Sequence, residues 1–276
     1  MSGKVYLVGA GPGDPELLTL KAFKILGIAD VVLHDALIAP EVLALIPAST
    51  RVVDVGKRCG SKAITQEEIN RLLVQNALQG LTVVRLKSGD PLVFGRAGEE
   101  LEALRKADVD VEIVPGITAA LGAAAAAQIP LTHRRVASAL VFLTGHHSEE
   151  KDSASWPLQI SADATLLIYM PGHEYGGTSR KLLSAGVRPA TACAIISQAT
   201  SSEQQVHRTT VGELAKAPRL PSPTLLVVGD VVRFAADAVL QDTVRDGFAL
   251  RDEAFALEAL PEMLPQIPEE SQEGGA

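Results

Sequence analysis

The chain has 276 residues, of which 47% are hydrophobic and 21% charged, and its formal net charge is −8. These values are typical of a globular protein with a sizeable core, built as one large domain or two modest ones. No apolar run is long enough to cross a membrane. Because a strand-like run already begins at Lys4, we expect no signal peptide and a cytoplasmic protein.

The negative charge is concentrated near the carboxyl end of the chain. Residues 246–276 contain eight acidic side chains and one arginine, which leaves a charge of about −1 on residues 1–245. A nearly neutral body without a broad basic stripe argues against nucleic acid as a partner. Local basic clusters on such a body suit an anionic small-molecule substrate.

Five short apolar runs alternate with helix-like runs in the first 115 residues. The strands are apolar and β-branched throughout, which is typical of a parallel sheet covered on both faces. Thr65 and Glu68 form a capping box, and Gly80 closes the helix that they begin. Strands are predicted at residues 5–9, 30–34, 51–56, 82–86 and 111–115, and helices beginning near Pro15, Glu41, Thr65 and Gly95.

The second half predicts a mixed sheet, because its strands follow one another with fewer helices between them. An Ala-rich helix ends at about Gln128, and further helices follow Gly172 and Val231. The strands are predicted at residues 138–145, 164–170, 191–198, 204–211 and 222–229.

This change of pattern divides the chain into two α/β domains and an extension. We predict an N-terminal α/β domain with a mainly parallel sheet at 1–116 and a C-terminal α/β domain with a mixed sheet at 117–240. Residues 241–276 form an acidic extension. Its Pro- and Glu-rich end, from Pro261, has too few apolar residues for a core and is expected to be disordered.

The motifs of several enzyme classes are absent from the sequence. It contains no H-E-x-x-H, G-x-S-x-G or G-x-x-x-x-G-K-[ST] pattern, which argues against hydrolases and kinases. Cys59 and Cys193 are isolated and indicate buried or incidental thiols. His146 and His147 are neighbours on a strand and point to opposite faces, so they do not indicate a metal site. We expect no metal.

The segment "LVGAGPGDPELLTLKA", residues 7–22, looks like the glycine loop of an NAD-dependent dehydrogenase but departs from its G-x-G-x-x-G pattern. Asp14 replaces the third glycine and Pro12 removes a backbone N–H, and both changes disfavour a diphosphate. The pattern predicts a strand, a turn and a helix that begins at Pro15 with Asp14 as its N-cap. A different nucleoside ligand and a purely structural turn both remain open.

Glycines and charged residues follow each strand predicted in the first domain. Ligands of open α/β sheets bind at the carboxyl ends of the strands, so these segments together predict a site. Taken singly, Asp35 and Asp90 also suit turns, and Thr118 suits a helix cap. Lys57 and Arg58 also suit solvated loops.

Six segments form an ordered set: "VYLVGAGPGDPELLTLKA", "DVVLHDALIAPEVL", "VGKRCGSKAITQEEIN", "VVRLKSGDPLVFGRAGEELEAL", "VPGITAALGAAAAAQIPLTHR" and "LVFLTGHH". In this order and spacing they resemble the S-adenosylmethionine-dependent uroporphyrinogen-III C-methyltransferases of the tetrapyrrole methylase family. The resemblance extends from about Val5 to Val232. It implies two α/β domains with the cofactor in the cleft between them, and a homodimer. The ligand at the glycine loop is then a sulfonium nucleoside, which needs no phosphate cradle.

The resemblance also assigns roles to individual residues. Asp35 falls at the family's proton acceptor and Lys57 at its proton donor. Its cofactor contacts fall on Pro12, Ser88, Gly89, Asp90, Val93, Thr118, Ala119, Met170 and Ala199. The substrate's carboxylates suit basic residues near strand ends and turns, and the candidates are Arg58, Arg96, His133 and Arg134, with Arg85 and Arg135 besides.

Two departures from the family pattern affect the site. Ala36 stands where the family has an arginine, so a basic side chain that could face the substrate is missing. Ser88 stands where it has a glycine, which adds a side chain where the backbone approaches the cofactor. Neither change removes the proposed acid or base.

The implied reaction transfers methyl groups to C2 and C7 of uroporphyrinogen III and gives precorrin-2 and S-adenosylhomocysteine, in the sirohaem and cobalamin branch of tetrapyrrole biosynthesis. The chain lacks the dehydrogenase and chelatase domain of fused homologues, so we expect it to stop at precorrin-2. Two alternatives remain open. One is a precorrin methyltransferase that acts at another ring position, and the other is a degenerate module that binds S-adenosylmethionine or a tetrapyrrole without turnover.

Overall fold

The structure is a computed structural model that describes residues 3–56, 64–145 and 156–235. Two five-stranded sheets lie within one compact unit of the chain. Within the described residues, no helix is both long and apolar enough to cross a membrane.

The first sheet is parallel throughout, which confirms the prediction. Its strands lie side by side in the order β3-β2-β4-β1-β5, so the carboxyl ends of all five meet at one edge. In the register of the sheet, Val5 lies between Val83 and Val111. The strands are β1 (Lys4–Gly9), β2 (Val31–His34), β3 (Arg51–Asp54), β4 (Val83–Lys87) and β5 (Asp110–Val114).

Helices cover both faces of this sheet, as the apolar strands predicted. Alternate residues of β1 enter two different apolar clusters, because successive side chains of a strand point to opposite faces. Val8 packs with α1 and α2, whereas Val5 and Leu7 pack with α3 and α4. The helices are α1 (Leu20–Leu26), α2 (Pro40–Leu43), α3 (Gln66–Leu78) and α4 (Ala97–Lys106).

The helix predicted to begin at Pro15 starts later. Asp14 does cap a turn, since its Oδ1 accepts from the N–H of Glu16 at 2.9 Å, but Pro15–Leu17 is a short 3₁₀ helix. Leu18 is extended and interrupts it, and Thr19 then caps α1 by accepting from the N–H of Ala22. Asp14 and Pro15 thus begin a helical turn as predicted, but the continuous helix expected from Pro15 begins at Leu20, because two good N-caps stand five residues apart and the second begins the longer helix.

The second sheet is mixed, which also confirms the prediction. β6 and β7 are parallel, the other neighbours are antiparallel, and the order is β6-β7-β10-β8-β9. The Ala-rich helix α5 packs on this sheet, where Ala120 and Ala123 share a buried cluster with Leu167 and Val227. The elements are α5 (Ala119–Ala126), β6 (Ala139–Thr144), β7 (Ala164–Tyr169), α6 (Gly176–Ser184), β8 (Ala192–Ser197), β9 (Gln205–Thr210) and β10 (Thr224–Val228).

The change from one sheet to the other falls between β5 and α5, close to the predicted boundary at 116/117, which stays a prediction. The helix expected after Val231 is a short 3₁₀ helix, Asp230–Phe234, because Ala235 is extended and ends it. The predicted acidic extension, 241–276, lies outside the described residues.

Candidate active site

The glycines of the first loop bring three strand ends together. A Cβ added to Gly9 would lie 2.6 Å from the backbone nitrogen of Gly116 and 2.6 Å from the carbonyl oxygen of Gly89. Gly11 and Gly89 also exchange backbone hydrogen bonds of 3.2 and 2.8 Å. The approach to Gly9 leaves no room for a side chain. Gly9 and Gly11 therefore serve backbone contact between the loops after β1, β4 and β5.

The same loop touches the second sheet and its helix. The N–H of Asp14 donates to Oγ1 of Thr200, 3.2 Å away, in the loop that follows β8. Pro12 packs against α5 so closely that a Cβ on Gly122 would lie 2.6 Å from its ring. Pro12 thus faces the helix and is not among the residues that line the neighbouring cleft.

An open cleft of about 890 Å³, its solvent-open part included, lies at the carboxyl edge of the first sheet and against the second. Asp35 and eight of the nine residues that the resemblance assigns to the cofactor line it. Those eight are Ser88, Gly89, Asp90, Val93, Thr118, Ala119, Met170 and Ala199.

Asp90 fixes the turn that follows β4. One carboxylate oxygen accepts from the N–H of Leu92 at 2.8 Å, and the other accepts from the N–H of Gly116 at 3.1 Å. Asp90 is therefore a turn residue, as one sequence interpretation held, and it also lines the cleft.

Aromatic side chains form a wall of the cleft that sequence reasoning missed. The Tyr169 hydroxyl lies 2.6 Å from Thr118 Oγ1 and accepts from the N–H of Ala120 at 3.2 Å. Its ring packs 5.0 Å from that of Phe94 and 5.8 Å from that of Phe142. Burial raises the pKa of Tyr169, although the hydrogen bond with Thr118 opposes this, so the hydroxyl is neutral. No spacing in the sequence linked these residues.

Backbone strain is concentrated around the cleft. Five residues other than glycine have φ between 46° and 68° in loops that line or flank it: Phe94, Arg96, Met170, Gln198 and Thr200. Such conformations cost free energy and persist where the surrounding structure enforces them, often at functional sites.

Asp35 lies at the end of β2 with its side chain 32% exposed, and its Oδ1 accepts from Nη2 of Arg85. Arg85 itself is only 3% exposed and also donates from Nε to Glu100, at 2.9 Å. Burial acts to lower the pKa of Arg85, but the two carboxylates outweigh it and the pKa is raised. Its burial and its two carboxylate partners disfavour Arg85 as a partner of the substrate, and that role stays a prediction.

The other candidate substrate residues that the structure describes lie outside the lining of the cleft. Arg96 is exposed and pairs with Glu99 through bonds of 2.7 and 2.6 Å. His133 stacks on Phe234 with ring centres 4.4 Å apart, and Arg134 is exposed. Lys57, Arg58, Cys59, His146 and His147 lie outside the described residues.

Cys193 lies on β8 and is fully buried. Burial raises the pKa of its thiol to about 12, as expected for an inert structural cysteine. Within the described part of the chain, no group of three or more His, Cys, Asp or Glu side chains is arranged to hold a metal ion.

The family model described as tetrapyrrole (corrin/porphyrin) methylases matches residues 4–215. The chain belongs to this family. The uroporphyrinogen-III C-methyltransferase of Paracoccus denitrificans is 47% identical over 86% of this chain and 84% of its own length. Siroheme synthase 1 of Yersinia enterocolitica is 47% identical over 83% of this chain, which spans about half of that relative.

A solved structure has the same fold. It is the uroporphyrin-III C-methyl transferase of Thermus thermophilus in complex with S-adenosyl homocysteine, with a TM-score of 0.71 and 39% identity over 84% of this chain and 100% of its own. The resemblance found in the sequence and the predicted fold class are thereby confirmed.

Proposed function

We propose that the chain methylates uroporphyrinogen III at C2 and C7 and so gives precorrin-2 and S-adenosylhomocysteine. The observation that supports this most is the convergence of Asp35 and the eight expected cofactor residues in one cleft. The similarity to a uroporphyrinogen-III C-methyltransferase along most of both chains favours this substrate over another tetrapyrrole.

The residues of the cleft fit S-adenosylmethionine. The turn at Ser88, Gly89 and Asp90 presents backbone groups and a carboxylate, and the remaining wall is largely apolar and aromatic. A neutral adenine suits the apolar wall, and a sulfonium suits a site that holds carboxylates. The nucleoside would be held by this turn with Val93, Thr118, Ala119, Met170 and Ala199. Pro12 would support it indirectly, by placing α5.

When bound, S-adenosylmethionine supplies a methyl group activated by its positive sulfur, so the protein has mainly to orient an electron-rich pyrrole carbon towards it. Each transfer leaves a cationic ring that must lose a proton. Asp35 lines the cleft, and its side chain is partly exposed. Arg85 bonds one of its two carboxylate oxygens, Oδ1. Asp35 would accept one proton for each methyl group and release it to solvent, and Lys57 falls at the family's proton donor, as the resemblance implies.

Arg58, Arg96, His133 and Arg134 are the proposed partners of the substrate's carboxylates. Arg96 leaves its exposed ion pair with Glu99 at little cost, because such pairs contribute only about 0 to 1 kcal/mol. Bidentate bonds from arginine to carboxylate would then hold the tetrapyrrole at the mouth of the cleft.

We further propose that the protein acts in the cytoplasm as a homodimer, on a small molecule and without nucleic acid or membrane. Its product would serve the sirohaem or cobalamin branch. Similarity to siroheme synthases supports the first of these branches.

The test is an anaerobic assay with fresh uroporphyrinogen III and S-adenosylmethionine, in which mass spectrometry measures the mass of the product. We expect a gain of two methyl groups that requires both reactants. Asp35→Asn should bind S-adenosylmethionine normally but methylate at least tenfold more slowly, whereas Asp110→Asn, at the opposite end of the sheet, should match the unchanged protein. No gain despite tight cofactor binding would refute this substrate and favour another tetrapyrrole or a module without turnover.

A further inference from the structure

A cluster of buried charges lies behind Asp35, and the proposed reaction does not use it. Glu100 of α4 is completely buried and accepts from three side chains. Arg85 Nε donates to it at 2.9 Å, Lys87 Nζ lies 3.1 Å from both of its oxygens, and Gln66 Nε2 lies 3.4 Å away. Burying ions is costly, and apolar side chains of similar volume often stabilise a protein as well as a buried ion pair does, or better. The cluster therefore calls for a reason other than stability.

The cluster reaches the cleft through one guanidinium. Arg85 uses Nε for Glu100 and Nη2 for Asp35, and its Nη1 lies near the carbonyl oxygens of Leu33 and Leu86. The plane of the Arg85 guanidinium is therefore fixed on three sides, and the guanidinium in turn orients the Asp35 carboxylate. Hydrogen bonds thus connect Glu100 to Asp35 through Arg85, and Lys87 to the same path through Glu100.

We propose that Glu100 and Lys87 are positioning residues that orient Arg85 and, by their charges, set how readily Asp35 holds a proton. This inference rests on the proposed role of Asp35 as the proton acceptor. The four ionised side chains are balanced, with two cations and two carboxylates. A proton taken up by Asp35 leaves the cluster with one excess positive charge, which Lys87 makes more costly and Glu100 makes less costly.

The electrostatic surroundings of Lys87 support this coupling. Burial and the charge of Arg85 lower the pKa of Lys87, while the charges of Glu100 and Asp35 act to raise it. Lys87 thus responds to the charge of Asp35 although no hydrogen bond joins them. Beyond the four members, the charged or titratable groups around the cluster among the described residues include His34, next to Asp35, and Asp90 in the cleft. They also include Arg96, whose charge interacts with Glu100, Glu99 and Glu67.

The test compares kcat/KM against pH for single and double variants. A base is inactive when protonated, so the acid limb of the profile follows the ease with which Asp35 binds a proton. Lys87→Met removes a cation and should move that limb to higher pH by roughly half a unit or more, whereas Glu100→Gln should move it to lower pH by a similar amount. The double variant should return the limb to its original position, with a lower maximal rate because Arg85 has lost a strong partner.

Glu102→Gln is the matched control, since Glu102 lies on the same helix with an exposed carboxylate that pairs with Lys106. It should leave the profile unchanged. If both single variants lower the rate without moving the limb, or move it in the same direction, the cluster only supports the fold and the proposal is overturned.

A second readout needs neither turnover nor the buried-charge variants. The ¹⁵N signal of the Lys87 amine should report a lower pH of deprotonation in Asp35→Asn than in the unchanged protein, because one carboxylate that raises its pKa is gone. An unchanged titration overturns the coupling. If the protein methylates no uroporphyrinogen III but the Lys87 titration moves as expected, the proposed function fails and the coupling stands.

Discussion

Substituting Gly9 by alanine tests the contact between the strand-end loops. The new Cβ would lie 2.6 Å from two backbone atoms and 2.7 Å from a third, whereas ordinary contact begins at 3.4 Å, so the loops must separate by about 0.8 Å. They cannot do so freely, because Gly11 and Gly89 are joined by paired hydrogen bonds. Overpacking of this kind costs about 1 to 3 kcal/mol, and we expect the upper end because the neighbours are backbone.

For a chain of this size, a loss of about 3 kcal/mol lowers the Tm by roughly 6 to 12 °C. The turn at Gly89 lines the cleft, so the affinity for S-adenosylmethionine should fall by about tenfold or more, measured by isothermal titration calorimetry. Gly98→Ala is the control, because a Cβ there meets nothing within 4 Å. It should stabilise α4 by about 0.5 kcal/mol and leave affinity unchanged. A Gly9→Ala protein with the original Tm and affinity would refute the reasoning.

Three further predictions follow from other parts of the structure. Tyr169→Phe leaves Thr118 without its partner and should lower the free energy of unfolding in urea by about 1 to 3 kcal/mol; no change would contradict the hydrogen bond. Hydrogen bonds from two lysines lower the pKa of Glu112 to about 2, so its stabilisation is present above its unfolded pKa and is lost as the pH falls towards 2. Glu112→Gln should accordingly lower the Tm at neutral pH, less so in high salt, and by much less near pH 2, where about half of the carboxylate is protonated. Burial raises the pKa of Cys193 to about 12, so its thiol should not react with a disulfide reagent in the native protein. In a Cys59→Ser variant, we expect no reactive thiol in the native protein and one reactive thiol after unfolding in urea.

Much of the fold was predictable because its signals are local. Strand-like runs of residues marked all ten strands of the described chain, and the number of helices between them separated a parallel from a mixed sheet. Thr65 and Glu68 form the predicted capping box, with reciprocal bonds of 3.2 and 2.9 Å. Local signals failed where two were in competition, as when Asp14 and Thr19 both offered a cap.

The site was predictable only in part, because its decisive contacts join residues far apart in the chain. The rule that ligands bind at strand ends selected Asp35 and Asp90, and both line the cleft. It could not pair Asp35 with Arg85, fifty residues later, and it left Arg85 among the residues free to bind substrate. Nor could it bring Tyr169 to Thr118, since that contact depends on how the second sheet is placed.

β4 shows how one strand joins the two supports of the cleft. Its odd-numbered side chains face α3 and α4, and along that face the apolar Val83 is followed by Arg85 and then Lys87 as the strand approaches the cleft. Gly89, two residues further, enters the backbone contact between the loops. The face of a strand that packs on a helix is ordinarily apolar, so two buried cations here give up packing stability at the end nearest the site. The polarity rises where Asp35 needs a fixed and charged partner, which is the distribution expected if the buried charges serve the reaction and the apolar residues serve the fold.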